Sequence, residues 1–183
     1  MPGKKWTREE VRVLDTTGLF EGQNYELVGG ELASKMGKLW THVRATKKVH
    51  DRLDRIFGDN LVYTEAPIDV AIDDNRTNEP QPDVVVLSEP PSHLHNNPQP
   101  TEIALLVEVA DSSLRVDTTT KAALYARAGI PDYWVLDLNG RRLIVYREPV
   151  DGEYSKVLVY QEHESVSPLA RPGAQIQVAD VLP

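Results

Sequence analysis

The stretch IALLVEVADS, residues 103–112, constrains this chain more than any other. Its apolar run is continuous, the pattern of a strand covered on both faces, yet Glu108 sits inside it. An unpaired carboxylate in such a setting is costly enough that it is normally protonated or absent. The fold must therefore bring something to Glu108 that offsets its charge.

The neighbouring segments supply the frame. DVVVL (83–87) is a β-branched run that opens on Asp83. DTTTKAALYARAGIP (117–131) predicts a helix, with Asp117 or a neighbouring Thr as cap, Gly129 as the stop and Pro131 beyond it. DYWVLDL (132–138) returns as a strand and turns at Asn139-Gly140 into RRLIVYRE (141–148). Strand, helix and strand in this order predict a right-handed crossover between parallel strands. Upstream, Thr7 and Glu10 of TREE form a capping box before a short helix. NYELVGGELAS (24–34) reads as a hairpin around Gly29-Gly30. In THVRATKKVHDRLDRIFG (41–58), His42, Val49, Leu53 and Ile56 fall near one helical stripe, and Gly58 ends the helix. Strands are also predicted at LVYTE (61–65), IDVAI (68–72), YSKVLVYQ (154–161) and AQIQVADV (174–181), with a polar loop at DDNRTNEPQP (73–82). The fold class is α/β (α+β): one domain over residues 1–183, with a mixed central sheet flanked by helices.

Composition removes several functions. The 28 Asp and Glu residues outnumber 20 Lys and Arg, for a net charge of −8, which argues against a protein that coats nucleic acid through a broad basic surface. A local basic groove is still compatible with that total. With no cysteine there is no disulfide framework, thiolate nucleophile or Cys-ligated zinc. MPGKKWTREEV lacks an apolar signal region and no run is long enough to span a bilayer, so the expectation is a soluble, cytoplasmic protein without a membrane partner.

If the strands bearing Asp83 and Glu108 pair as neighbours, their carboxylates meet at one end of the sheet. Lys121 shares a helical stripe with Leu124, Tyr125 and Ala128, so its ammonium is directed toward the same region. Two carboxylates and a lysine form a recognisable kit: hard oxygen ligands suit Mg²⁺, with Mn²⁺ as a substitute, and the lysine orients a water or stabilises a phosphoryl transition state. The same residues also admit a plainer account. Asp83 after proline suits a turn, Glu108 and Lys121 suit a buried structural ion pair, and Lys121 can snorkel to solvent.

The run PDVVVL, LLVEVADSS and DTTTKAALYARAGIPDYWVLD resembles the Uma-type family of putative restriction endonucleases, within the PD-(D/E)XK nuclease superfamily. YELVGGEL followed by a helix bearing His42 extends the resemblance over most of the chain. The superfamily's usual motif has a lysine two residues after the glutamate, where this chain has Ala110. The Uma-type pattern is similar to this sequence in placing the lysine on the following helix, at Lys121. The resemblance implies a restriction-endonuclease-like fold and a Mg²⁺-dependent endonuclease acting on DNA. Asp83, Glu108 and the Val109 carbonyl would hold the metal and Lys121 would position the water. An N-terminal acidic residue, Glu26 or Glu31, would be a further ligand or hold a metal-bound water, as in many nucleases of this kind; the plainer account of either is a solvated carboxylate on an exposed hairpin. It also implies a homodimer, since cutting both strands of a duplex often uses two copies of a site. The alternative is a catalytically silent nucleic-acid-binding or protein-interaction module of the same fold.

Other residues divide between roles. His42 suits a phosphate or water contact or a hydrogen-bonded place in the core. Arg44, Lys48, Arg52 and Arg55 suit a phosphate-tracking groove, or, interleaved with Asp51 and Asp54, a solvated face. Tyr133 and Trp134 suit base stacking or burial, and Asp137 suits the site or the turn beside it. His93 and His95 share a loop without other ligand-like residues and are given no metal role.

Overall fold

A computed structural model describes residues 3–35, 37–91 and 95–183, so His93 lies outside the described residues. Its centre is a six-stranded sheet in the order β3-β4-β5-β6-β7-β8, built from Val62–Thr64, Val84–Leu87, Ile103–Ala110, Asp132–Asp137, Arg142–Val150 and Glu153–Gln161. β5 and β6 run parallel and every other neighbour pair is antiparallel, so the sheet is mixed as expected.

β5 is buried at all eight positions, and its parity explains the core. Leu105, Val107 and Val109 face one layer, with Ala45, Val49 and Leu53 of α2 (Trp40–Phe57). Leu106 and Ala110 face the other layer, with Leu124 and Tyr125 of α4 (Ala122–Arg127). A strand presents alternate residues to opposite faces, so Glu108 belongs to the α4 layer. The crossover enters through a short helix α3 (Leu114–Val116) and a π turn, Asp117–Lys121, before α4.

Several boundaries differ from expectation. Ser113, not Asp117 or a following Thr, precedes the helix; Asp117 lies inside it and is buried. Residues 68–72 form no strand. Ile68 and Val70 still point inward, but their amides bond the Pro80 carbonyl and the Asn75 side chain, and Ile72 is exposed. The 174–181 stretch pairs only through β10 (Ile176–Gln177) with β9 (Ser165–Val166), outside the main sheet. It then turns into α5 (Val178–Val181), where Val178 and Val181 are buried. At the β6–β7 turn the left-handed residue is Arg141 rather than Asn139 or Gly140. Asp137 accepts the Gly140 amide at 2.9 Å there and is ion-paired to Arg142, which is its turn role.

The N-terminal part delivers the remaining site residues. α1 (Arg8–Thr16) begins with the predicted capping box between Thr7 and Glu10. β1 (Tyr25–Val28) and β2 (Glu31–Ser34) form the hairpin, turning through Gly29 and Gly30 at φ of 57° and 75°, a region that glycine enters without steric strain. Leu27 bridges to Glu79, and the Gln81 side chain reaches the Tyr25 carbonyl, so the hairpin is laced to the segment that feeds β4. Among the described residues no helix is long and apolar enough to cross a membrane.

Candidate active site

The crossover places Lys121 over the end of β5. Its Nζ lies 2.9 Å from Glu108 Oε1 and 2.9 Å from Glu26 Oε1, with Asp117 Oδ1 at 3.9 Å. The side chain is only 3% exposed, so it does not snorkel to solvent. Tyr125 donates to the same Glu108 oxygen at 3.1 Å. The Gln81 amide donates to the second oxygen of Glu26, and Ser113 donates to Asp117 at 2.5 Å. One ammonium thus serves three buried carboxylates.

That imbalance governs protonation. Burial pushes Glu108 up to about 8, against the pull of Lys121 and Lys35 and with help from Asp83 and Asp117. Burial likewise raises Asp117, partly offset by Lys121 and Ser113. For Lys121 burial acts in the opposite sense, but Glu108, Glu26 and Asp117 outweigh it, and the group stays an ammonium.

Asp83 anchors a second cluster. β4 and β5 pair with Val84 opposite Val107, so Asp83, one step beyond, falls across from Glu108. Its Oδ2 accepts the Val109 amide at 2.8 Å. Its Oδ1 receives Lys38 at 2.9 Å, Lys35 at 3.3 Å and His42 Nε2 at 3.3 Å. Burial opposes its ionisation, but His42, Lys35 and Lys38 prevail and hold it well below the usual carboxylate range. Both clusters line one cleft of about 500 Å³, bounded by the β2–α2 segment on one side and by the start of the crossover on the other.

The donor set suits a hard cation. Asp83 and Glu108 offer carboxylate oxygens, and both bonds to Glu108 fall on Oε1, leaving Oε2 without a hydrogen bond among the described residues. In an antiparallel pair a residue's carbonyl points to the same side as its amide, so the Val109 carbonyl faces the side from which its amide reaches Asp83. Among the described residues no three His, Asp or Glu side chains gather closely enough to ligate one ion. Two carboxylates and a carbonyl are nevertheless enough for Mg²⁺, which keeps several waters and takes substrate oxygens.

A family model for putative restriction endonucleases, Uma2, matches residues 9–179, nearly the whole chain. The chain belongs to the Uma2 family. A solved structure similar to it is that of a putative nuclease belonging to DUF820 from Anabaena variabilis ATCC 29413. The two share 15% identity over 86% of this chain and 88% of that one, with a TM-score of 0.66, a likeness of fold. No curated protein matches the chain. Family and fold are thus those of putative nucleases.

Of the residues singled out in this Uma2 sequence, Asp83, Glu108, Lys121, Glu26 and His42 line the one cleft. Glu31 does not: it sits at the turn end of the hairpin, opposite Val28, 75% exposed and ion-paired to Lys5. His42 meets Asp83 rather than settling in the core. Lys48 and Arg52 bind the Leu182 carbonyl and Asp180, so these two basic residues tie down the C-terminal segment instead of forming a phosphate groove. Arg44 and Arg55 are exposed. Tyr133 is fully buried and donates to the Asp117 carbonyl, while Trp134 is buried and donates to Asp132. Both are core residues. His95 is exposed.

Four participants had escaped sequence reasoning: Lys35, Lys38, Asp117 and Tyr125. The first two flank the hairpin's end, and no periodicity marks them. Asp117 had a signal, since it stands four residues before Lys121, but a π turn, common at functional sites, is not readable from spacing.

Proposed function

We propose that this Uma2 protein is a Mg²⁺-dependent endonuclease that hydrolyses phosphodiester bonds in DNA, with Mn²⁺ an acceptable substitute. The observation that carries the proposal is Lys121, buried, 2.9 Å from both Glu108 and Glu26, in the cleft that Asp83 also lines. Asp83, Glu108 and the Val109 carbonyl would hold the ion. Bound there, it would acidify a water and withdraw charge from the phosphoryl oxygens.

The protein's own groups supply the rest. Lys121 donates to Glu108 and is ion-paired to Glu26, and as a three-donor group it would still have an N–H for the attacking water or a phosphate oxygen. Glu26 and Asp117 keep that lysine charged and aimed. Lys35 and Lys38 make the opposite wall of the cleft cationic despite the net charge of −8, with His42 beside them, which suits an anionic strand.

Supercoiled plasmid and single-stranded DNA incubated with Mg²⁺ or Mn²⁺ should be cut by the wild type and not by Asp83→Ala, Glu108→Ala or Lys121→Ala. Retained cleavage in either carboxylate variant rejects the assignment. Double-strand cutting would further call for a homodimer, which sedimentation tests; a monomer at high concentration rejects that part.

One observation favours a second reading, a binding module without catalysis: Asp83 is compensated by three side chains of the protein itself, Lys35, Lys38 and His42. Divalent-metal calorimetry separates the two. Binding that depends on Asp83 supports the nuclease, and none supports the module.

A further inference from the structure

Asp83 has both oxygens engaged before any ion arrives. Oδ2 takes the Val109 amide, and Oδ1 is shared by Lys38, Lys35 and His42. A divalent cation approaching Oδ1 meets two ammonium groups already within 3.3 Å of it, and like charges around one oxygen repel. One of the cations has to leave.

We infer that Lys38 stands in for the metal in the metal-free protein and transfers to Glu65 when the ion binds, an inference that rests on the metal reading above. Anchoring selects Lys38 from the three. Lys35 is 9% exposed, its backbone amide is fixed to the Asn24 carbonyl, and Asp83 is its one ion-pair partner among the described residues. His42 is held on α2. Lys38 is 21% exposed, follows Gly37 at φ 78°, and already bonds Glu65 as well as Asp83. Releasing Asp83 therefore leaves its charge paired. Glu65 sits just past β3 and is 36% exposed, so the receiving carboxylate lies toward solvent.

Two consequences follow. Lys38 holds the ion's place beside Asp83 while no metal is bound. Once displaced, its ammonium stays at the rim of the cleft, where the phosphate oxygens of an incoming strand would meet it. Lys38 is a positioning residue for the ion and a contact for the substrate.

The test is calorimetric titration of metal-stripped protein with Mn²⁺ and Mg²⁺ at fixed pH and ionic strength, with circular dichroism to confirm folding. Lys38→Met should bind about tenfold tighter than wild type, the scale of one hydrogen bond to a charged group. Lys47→Met, which removes a lysine from the same part of the molecule that pairs with Asp51 and not Asp83, should bind as wild type does. Glu65→Gln should weaken binding when Lys38 is present and have no effect in the Lys38→Met background. A wild type that binds metal with no gain in Lys38→Met overturns the inference and leaves the metal reading standing. So does an equal gain in Lys47→Met, or a Glu65→Gln effect of the same size in both backgrounds. Binding by neither wild type nor Lys38→Met overturns both.

Discussion

Replacing Lys121 by Met keeps the length of the side chain and removes its charge, which isolates what the ammonium does. In the wild type Nζ is 2.9 Å from Glu26 and from Glu108, 3.9 Å from Asp117, and almost wholly buried. Removing one partner of a buried ion pair costs about 3–5 kcal/mol, because the charge left behind has neither water nor a counter-ion. For a domain of this size that is a fall of roughly 6–20 °C in the unfolding midpoint. The loss should depend on pH, and the sign can be worked out. The unfolded chain releases the Glu108 proton near 4.5, the ordinary value for a glutamate, whereas the folded wild type holds it to about 8. Between those values the folded state carries the extra proton, so its stability declines as pH rises. Without the ammonium, Glu108 and Asp117 hold their protons to still higher pH, and the decline becomes steeper and longer. Thermal unfolding at pH 6 and pH 9 should therefore give a deficit near or below the lower figure at pH 6 and near the upper one at pH 9. A deficit equal at the two pH values, or below about 1 kcal/mol at pH 9, would refute the shared-ammonium account.

The same protonation predicts how metal binding responds to pH: affinity for Mn²⁺ should rise between pH 6 and about pH 8, with proton release measurable in buffers of different ionisation enthalpy, and level off once Glu108 is ionised. A pH-independent affinity would remove Glu108 from the ligand set. Asp83→Asn should abolish metal binding altogether, and calorimetry showing wild-type affinity would count against the site. Glu31→Ala, on the exposed hairpin end, should leave both the unfolding midpoint and metal affinity unchanged; a loss of affinity would return Glu31 to the site.

How much of this could be read from the chain depended on which force set each feature. The β5 run was legible because burial on both faces leaves an uninterrupted apolar string, and Glu108 stood out against it. Its link to Lys121 was legible too, since the crossover that makes β5 and β6 parallel returns the helix over the sheet. The 68–72 segment misled because alternation records which side chains face inward, not where the backbone bonds go; here they go to Asn75, Pro80 and Pro98. The basic stripe of α2 was ambiguous because its partners, Leu182 and Asp180, lie more than a hundred residues away. Lys35 and Lys38 were invisible for a related reason. They reach Asp83 through a hairpin whose placement is set by tertiary bonds to residues 77–81, and no local pattern encodes those.

The distribution of charge in the cleft ties these features together. The α4 side holds one ammonium among Glu26, Glu108 and Asp117, and the opposite side holds Lys35, Lys38 and His42 around Asp83, with Glu65 also paired to Lys38. A structural ion-pair network would be expected to pair these charges more evenly, since uncompensated buried charge is destabilising. Here the surplus of acid lies on the α4 side, a single β-strand spacing from the paired charges around Asp83, with Asp83 and Glu108 facing one another across it. An ion entering between them would relieve the acidic side by binding Glu108, and Lys38 displaced from Asp83 would keep Glu65 as its partner, so the imbalance favours the ion's arrival. Polarisation of this kind has a cost in the metal-free fold, and that cost is intelligible if the cleft is arranged for the loaded state. A metal-stripped protein should accordingly gain stability on adding Mn²⁺ by more than Asp83→Asn does under the same conditions, as read from the shift in unfolding midpoint. Equal shifts in the two proteins would mean that the separated charges serve the fold alone.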